Sequence, residues 1–275
     1  MKRDATLSGG RNLIKQVVES EQHPAQSGSW SQQRHFYDEE CDPEFEITRP
    51  HGCGRLYDFL IEHKFRTGLG VLGLDLAGMS VLEICCGSGM MAEKFARAGA
   101  RVIGTDFSHA AIARARERSR RYRFDATFMV ADAENLAFAD GSFDVVAVHD
   151  GLHHLDDPDR AIREMARVAR RGVLILDPAQ AALTRFAIWL GLAVEVEEAG
   201  NPVKRLDPQA VAANLRKAGF DRIVMRRTLM YYPHEPYRWF AWFDHPLLFF
   251  LFRTAFAGAN LALGRWGNKL SLAAR

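Results

Sequence analysis

From Ser80 onward the chain alternates short apolar runs with stretches of helical period. "SVLEIC" (80–85) reads as a buried strand. The helix after it carries Met91, Ala92, Phe95 and Ala96 on one face and stops at Gly99. "RVIGTD" (101–106) is a second strand, and Ser108 caps a helix whose inner face is Ala111, Ile112 and Ala115. "ATFMVAD" (126–132) is a third. "FDVVAVHD" (143–150) is a fourth, so continuously apolar that it must be covered on both faces. Asp157-Pro158 starts the next helix, with Ala161, Ile162, Met165, Val168 and Ala169 as its buried stripe. "GVLILD" (172–177) is a fifth strand. Asp207-Pro208 caps a helix with Val211, Ala212 and Leu215 facing inward and Gly219 at its end. "RIVMRRTLMYY" (222–232) is a sixth strand and "GNKLSLAAR" (267–275) a last one. Strand alternating with helix predicts an α/β fold with a doubly wound parallel sheet, which takes ligands beyond the carboxyl ends of its strands.

Three of those strand ends carry matching chemistry. Gly87 and Gly89 lie in the first strand-to-helix turn, where the lack of a Cβ lets a ligand approach the backbone. The turn reads C-C-G-S-G-M-M, so a bulky residue stands where a dinucleotide fingerprint has its third glycine. That argues against a pyrophosphate seated on the helix. Asp106 ends strand two at the spacing of a carboxylate that accepts two ribose hydroxyls. Asp132 ends strand three, where its carboxylate can accept from an exocyclic amine while the Ala133 N–H donates to a ring nitrogen. The ligand implied has a nucleoside and no pyrophosphate.

These residues resemble the class I S-adenosylmethionine-dependent methyltransferases, of the broad group that includes the quinone-biosynthesis C-methyltransferases. The resemblance rests on E-x-C-C-G-S-G (83–89), Asp106, "ADAENLAFADGSFDVV" (131–146) and "GLHHLDDPDRAIREMARVARRGVLIL" (151–176). It implies a Rossmann-like seven-stranded sheet whose last strand runs antiparallel between strands five and six, with helical N-terminal and C-terminal additions. The cofactor implied is S-adenosyl-L-methionine, leaving as S-adenosyl-L-homocysteine. Glu83 would reach its amino group, Gly87 and Gly89 would line its methionine part, and Asp106 would hold its ribose with Phe107 against the adenine. Asp132 and Ala133 would read the adenine edge, and His149 and Asp150 would touch the methionine end. Cys85 departs from the glycine usual in the family, and the backbone there is expected to suit a residue with a Cβ.

A base is required only if the acceptor must lose a proton. His153 and His154 follow the fourth strand, with His149 a third candidate, and His154 is the one expected to face the pocket. The motif of amide or base N-methylation is replaced by "HDGLHH", which disfavours DNA or glutamine as acceptor. O-, C- and N-methylation stay open. Two other readings stand beside this one: a cofactor-binding protein without transferase activity, and an NAD-linked oxidoreductase.

Composition narrows the partners. The 275 residues carry a net charge of +2, which gives no reason to expect nucleic acid. The four cysteines (41, 53, 85, 86) have no metal-ligand spacing, so neither a metal nor a disulfide is expected. Lys2 and Arg3 lead into "DATLSGG", not an apolar run, so a cytoplasmic protein is expected. Residues 1–34 read as a mobile polar segment and 35–70 as a helical cap. Residues 71–232 and 265–275 read as the cofactor-binding core, and 233–264 as an aromatic helical insertion that forms a substrate lid. That insertion holds "YRWFAWFDHPLLFFLF", far more aromatic than a connector needs. It is interrupted by Arg253 and Asn260 and is read not as a membrane span but as a wall for a small lipophilic acceptor or a peripheral membrane contact. Nothing in the sequence bears on oligomeric state.

Overall fold

The computed structural model describes residues 28–181, 184 and 204–275. Residues 1–27, the greater part of the segment expected to be mobile, lie outside the described residues. The N-terminal part comprises α1 (Gly28–His35), a π-helical turn (Phe36–Glu40), α2 (Pro43–Thr48) and α3 (Arg55–Leu72). Then come β1 (Ser80–Ile84), α4 (Met90–Arg97), β2 (Arg101–Asp106), α5 (His109–Tyr122), β3 (Ala126–Val130) and β4 (Phe143–His149). A short 3-10 turn (Leu152–His154) precedes α6 (Pro158–Val168), β5 (Ala169–Pro178), α7 (Pro208–Lys217) and β6 (Ile223–Thr228). A 3-10 turn (Arg238–Asp244) leads into α8 (Pro246–Leu263), and β7 (Lys269–Ala274) closes the sheet.

The sheet has seven strands in the order β3-β2-β1-β4-β5-β7-β6. β1 to β5 are parallel, and β7 runs antiparallel between β5 and β6. Alternation along each strand divides the core in two. Val81, Val145, Ala147, Leu174 and Leu176 face α3, α4 and α5, whereas Leu82, Ile84, Val146, Val148 and Ile175 face α6 and α7. The winding reverses between β1 and β4, so the cleft opens there.

Three expectations need revision. α3, expected in the cap, packs flat on the sheet against β5 and β7, close enough that a Cβ on Gly68 would lie 2.8 Å from Leu176 Cδ2. It belongs to the core, with Tyr57 of its first turn reaching the cleft that the residues before it overlie. Residues 28–34, expected to be mobile, are helical, and Gln33 is buried with its amide donating to His154 O at 3.1 Å. β6 ends at Thr228 rather than Tyr232 because side-chain amides capture the next backbone groups. Leu229 N donates to Asn260 Oδ1 at 2.8 Å and Met230 N to Asn268 Oδ1 at 3.1 Å, which draws Leu229–Tyr232 off the sheet and over the cleft.

Outside the core, α8 is apolar on most of its circumference, interrupted by Arg253, Thr254 and Asn260. Phe249, Phe252 and Phe256 form its half-buried stripe against Phe59 of α3, at ring separations of 5.7, 6.2 and 5.5 Å. The opposite face is exposed, with Phe250 at 64% and Leu261 at 91%, and nearby Trp242 is 68% exposed. By length and composition the stretch Pro246–Trp266 could cross a membrane. Both ends return to the same sheet, however, and Arg253 sits over the Phe59 and Phe249 rings.

Candidate active site

A cavity of about 920 Å³ lies at the carboxyl ends of β1, β2, β3 and β4, roofed by α1, the π-helical turn and Tyr231–Arg238. Every site residue expected from sequence lines it except Gly89. A Cβ on Gly89 would stand 3.1 Å from the Phe128 ring and 3.2 Å from Ala115 Cβ, so this glycine lets α4 start against β3 and α5 and does not form cavity wall. Gly87 is the open one: φ is +51° and an added Cβ would meet nothing within 4 Å.

The first turn is tied to the second strand end. Gly87 N donates to Asp106 Oδ2 at 2.8 Å, and Ser108 N to Asp106 Oδ1 at 3.0 Å. Burial nevertheless raises the Asp106 pKa above the ordinary carboxylate value. Each oxygen keeps a lone pair for a ligand hydroxyl. Glu83 is almost wholly buried, and its Oε2 has no hydrogen-bond partner. Burial, and then the charge of Asp106, push its pKa well up. Asp132 accepts from Glu134 N at 2.8 Å and is followed by buried Ala133. Phe107 meets the Tyr37 ring edge-on at 6.3 Å, and Tyr37 in turn meets His154 at 6.0 Å.

Cys85 departs from expectation. Its φ is +51°, in the left-handed region that favours glycine, at a cost of roughly 1–2 kcal/mol for a residue with a Cβ. Room for the side chain comes from Gly151, where a Cβ would lie only 2.4 Å from Cys85 Cβ. Asp150 is also left-handed, at φ +46°.

The three histidines differ in setting. His153 is buried, and its Nδ1 lies 2.8 Å from Asp177 Oδ1. The other oxygen of Asp177 accepts from Gly151 N and Leu152 N, both at 3.0 Å. His154 also lines the cavity, with its ring 4.1 Å from that of His153. His149 Nε2 is 3.6 Å from Asp150 Oδ2 and has no hydrogen bond. Burial, reinforced by Lys64, pushes the His149 pKa well below its ordinary value.

Several residues in the wall or directly behind it escaped the sequence reading. Arg49 Nη1 is 2.9 Å from His234 Nδ1, and His234 Nε2 is 2.9 Å from Glu46 Oε1. Arg114 donates to Tyr37 O at 2.8 Å, fixing the roof. Lys64, Tyr232 and Lys269 surround Asp150. Only Asp177, the acid ending "GVLILD", had a visible signal, since it repeats the strand-end pattern of Asp106 and Asp132.

A methyltransferase-domain sequence model matches residues 82–176. The 2-phytyl-1,4-naphtoquinone methyltransferase of Thermosynechococcus vestitus is 32% identical over 168 residues, which cover 53% of this chain and 74% of that protein. The chain belongs to the class I S-adenosylmethionine-dependent methyltransferases. The demethylmenaquinone methyltransferase of Thermobifida fusca is 40% identical over 97 residues, covering 35% of this methyltransferase-family chain and 41% of that protein. Several curated relatives are thus spanned over only about two fifths of their length. Magnesium protoporphyrin IX methyltransferase from Synechocystis PCC 6803, solved with bound SAH, shares the fold (TM-score 0.58, 19% identity, 90% of this chain and 100% of that chain). The cavity suits the methyltransferase cofactor: the unpartnered Glu83 oxygen fits an ammonium group, the open Gly87 admits close contact, and Asp106 offers its remaining lone pairs to two hydroxyls.

Proposed function

We propose that this chain transfers a methyl group from S-adenosylmethionine to a small apolar or aromatic acceptor of quinone type, taken up at a membrane surface. The observation that carries the reading is one cavity with two chemically different halves. At β1, β2 and β3 it is lined by Glu83, Gly87, Asp106 and Asp132, a set suited to a nucleoside with an amino acid tail. Toward β4 and the roof it is lined by Tyr57, Tyr231, Tyr232 and Tyr237, a set suited to an aromatic ring. The names of the quinone methyltransferases it resembles support the acceptor class.

When bound, S-adenosylmethionine supplies a methyl group already activated by its sulfonium. The chain's task is alignment, which is worth roughly 7–11 kcal/mol when both partners are held in register. Asp106 and Asp132 hold one end, and Phe107 and Tyr37 close over it. For an acceptor that arrives protonated, His153 is the best-placed base. The Asp177 carboxylate accepts from Nδ1 and fixes the ring's orientation at the cavity. His149, kept neutral and weakly basic by burial, serves as a polar wall.

The membrane contact rests on surface chemistry. Tyr231 and Tyr237 are exposed and line the cavity, Tyr237 stacks on Trp239, and exposed Trp242 and α8 follow directly in the chain. Arg238, Arg253 and Arg265 border this apolar surface, the last at 3.8 Å over the Trp266 ring. Such a surface lies in the headgroup region with the cavity mouth facing the lipid, so a greasy acceptor need not cross water. The cofactor assignment is tested by calorimetry with S-adenosylhomocysteine. Asp106→Ala should weaken binding by about 2–4 kcal/mol, roughly 30- to 1000-fold, because it removes two charge-assisted hydrogen bonds. Unchanged affinity would remove Asp106 from the site.

A further inference from the structure

The acceptor half of the cavity contains a charge arrangement that an apolar acceptor alone does not explain. Lys64 Nζ and Lys269 Nζ approach the same oxygen of Asp150, Oδ1, at 2.6 and 3.3 Å. Tyr232 donates its hydroxyl to the other oxygen and accepts from Lys64 Nζ at 3.1 Å. Asp150 is therefore fully engaged. Although burial pushes its pKa up, Lys269 and Lys64 hold it well below the carboxylate range. Burial keeps Tyr232 protonated, with a pKa well above the usual phenol value. The next carboxylate, Asp177, has its oxygens on Gly151 N, Leu152 N and His153 Nδ1.

Two ammonium groups thus share one carboxylate. Lys64 is enclosed beneath the wall, whereas Lys269 lines the cavity. Among the described residues, Asp150 is the sole hydrogen-bond partner of Lys269, and an ammonium has three N–H donors. The Tyr232 ring, 4.9 Å from Lys269 Nζ, holds the group in place. The position is also telling. Asp150 directly follows β4, Lys269 opens β7 and Tyr232 lies beyond β6, so the cluster lies across the sheet from Asp106 and Asp132.

We propose that Lys269, positioned by Asp150 and Tyr232, receives the hydroxyl oxygen of the acceptor as an anion, so that the acceptor is an acidic phenol, enol or hydroquinone. The claim rests on the methyltransferase reading above. The hydroxyl proton has passed to solvent or to His153 by then, and the oxyanion takes up N–H donors that Lys269 does not spend on Asp150.

The test uses the full chain saturated with S-adenosylhomocysteine and two rings of similar size, 2-hydroxy-1,4-naphthoquinone and 2-methyl-1,4-naphthoquinone. Only the first carries an acidic hydroxyl. The wild type should bind the hydroxy compound at least about tenfold more tightly, and Lys269→Met should bring the ratio to within about twofold. Lys269→Arg should restore the preference, and S-adenosylhomocysteine affinity should stay the same in both variants. A second readout needs no variant: the visible band of the bound hydroxynaphthoquinone anion should persist to lower pH than that of the free compound. The proposal is overturned by a ratio near one in the wild type, by a ratio that survives Lys269→Met, or by a band lost at the same pH as in free solution. Weaker S-adenosylhomocysteine binding in Lys269→Met would overturn it too, assigning the cation to the cofactor carboxylate. A wild type that does not bind S-adenosylhomocysteine at all would instead remove the methyltransferase reading.

Discussion

At the scale of single residues, the site is built from acids at strand ends, and those were readable. Glu83, Asp106 and Asp132 stand out in the sequence because a strand's alternation fixes where it ends, and the structure places all three within two residues of a strand end and in the cavity wall. The role of Gly89 was not readable, because two glycines in one turn look alike until the neighbours of each Cβ are known. The compensation between Cys85 and Gly151 was hidden for the same reason, since the residues meet only after the chain has passed through three further strands. The histidine pair shows what geometry adds. Sequence pointed to His154, and the structure brings both histidines to the cavity but pairs His153 with Asp177. His153→Ala should slow turnover about 100-fold while leaving S-adenosylhomocysteine affinity unchanged. Steady-state rates for His153→Ala and His154→Ala side by side check this, and a larger loss in the second would transfer the role.

At the scale of elements, β1 to β5 and the caps at Ser108, Asp157 and Asp207 follow from pattern and cap chemistry, and each cap makes its expected bond. The elements before α3 did not follow. They are held less by apolar periodicity than by long polar side chains reaching backbone carbonyls, as Arg114 reaches Tyr37 O and buried Arg118 reaches Ile47 O at 2.9 Å. No local pattern announces such contacts. Glu46 illustrates the consequence, because it joins α2 to the roof through His234 and Arg49. Burial alone would raise its pKa, but Arg49 and His234 bring it down from 4.5 to about 2. A carboxylate with a lowered folded-state pKa stabilises above its unfolded value and loses that contribution as pH falls. The window here is pH 4.5 down to about 2, with at most about 3 kcal/mol at stake. Melting curves should show Glu46→Gln less stable than wild type at pH 6, with the gap closing below pH 4.5. A gap independent of pH would mean that Glu46 acts through packing alone.

At the scale of the whole molecule, the ring contacts Tyr237–Trp239, Trp239–Phe243 and Phe243–Phe252 join the aromatic roof of the cavity to α8. The sequence showed that 233–264 was too greasy for a connector, but not which face would stay uncovered. The structure settles that division, with Phe249, Phe252 and Phe256 against α3 and Leu247, Phe250 and Leu261 outside. Co-sedimentation with anionic vesicles should be strong for the wild type and clearly weaker for a Trp239→Ala, Trp242→Ala double variant of unchanged melting temperature. Equal sedimentation would place the contact elsewhere, and a lowered melting temperature would mark the two rings as packing. The central claim is methyl transfer itself, and it is tested most directly by incubating the protein with methyl-labelled S-adenosylmethionine and a reduced 1,4-naphthoquinone lacking its ring methyl, in vesicles. The account predicts label in the extracted quinone, and none with Asp106→Ala. A protein that binds the cofactor in that assay, yet leaves all the label in the aqueous phase, would contradict it.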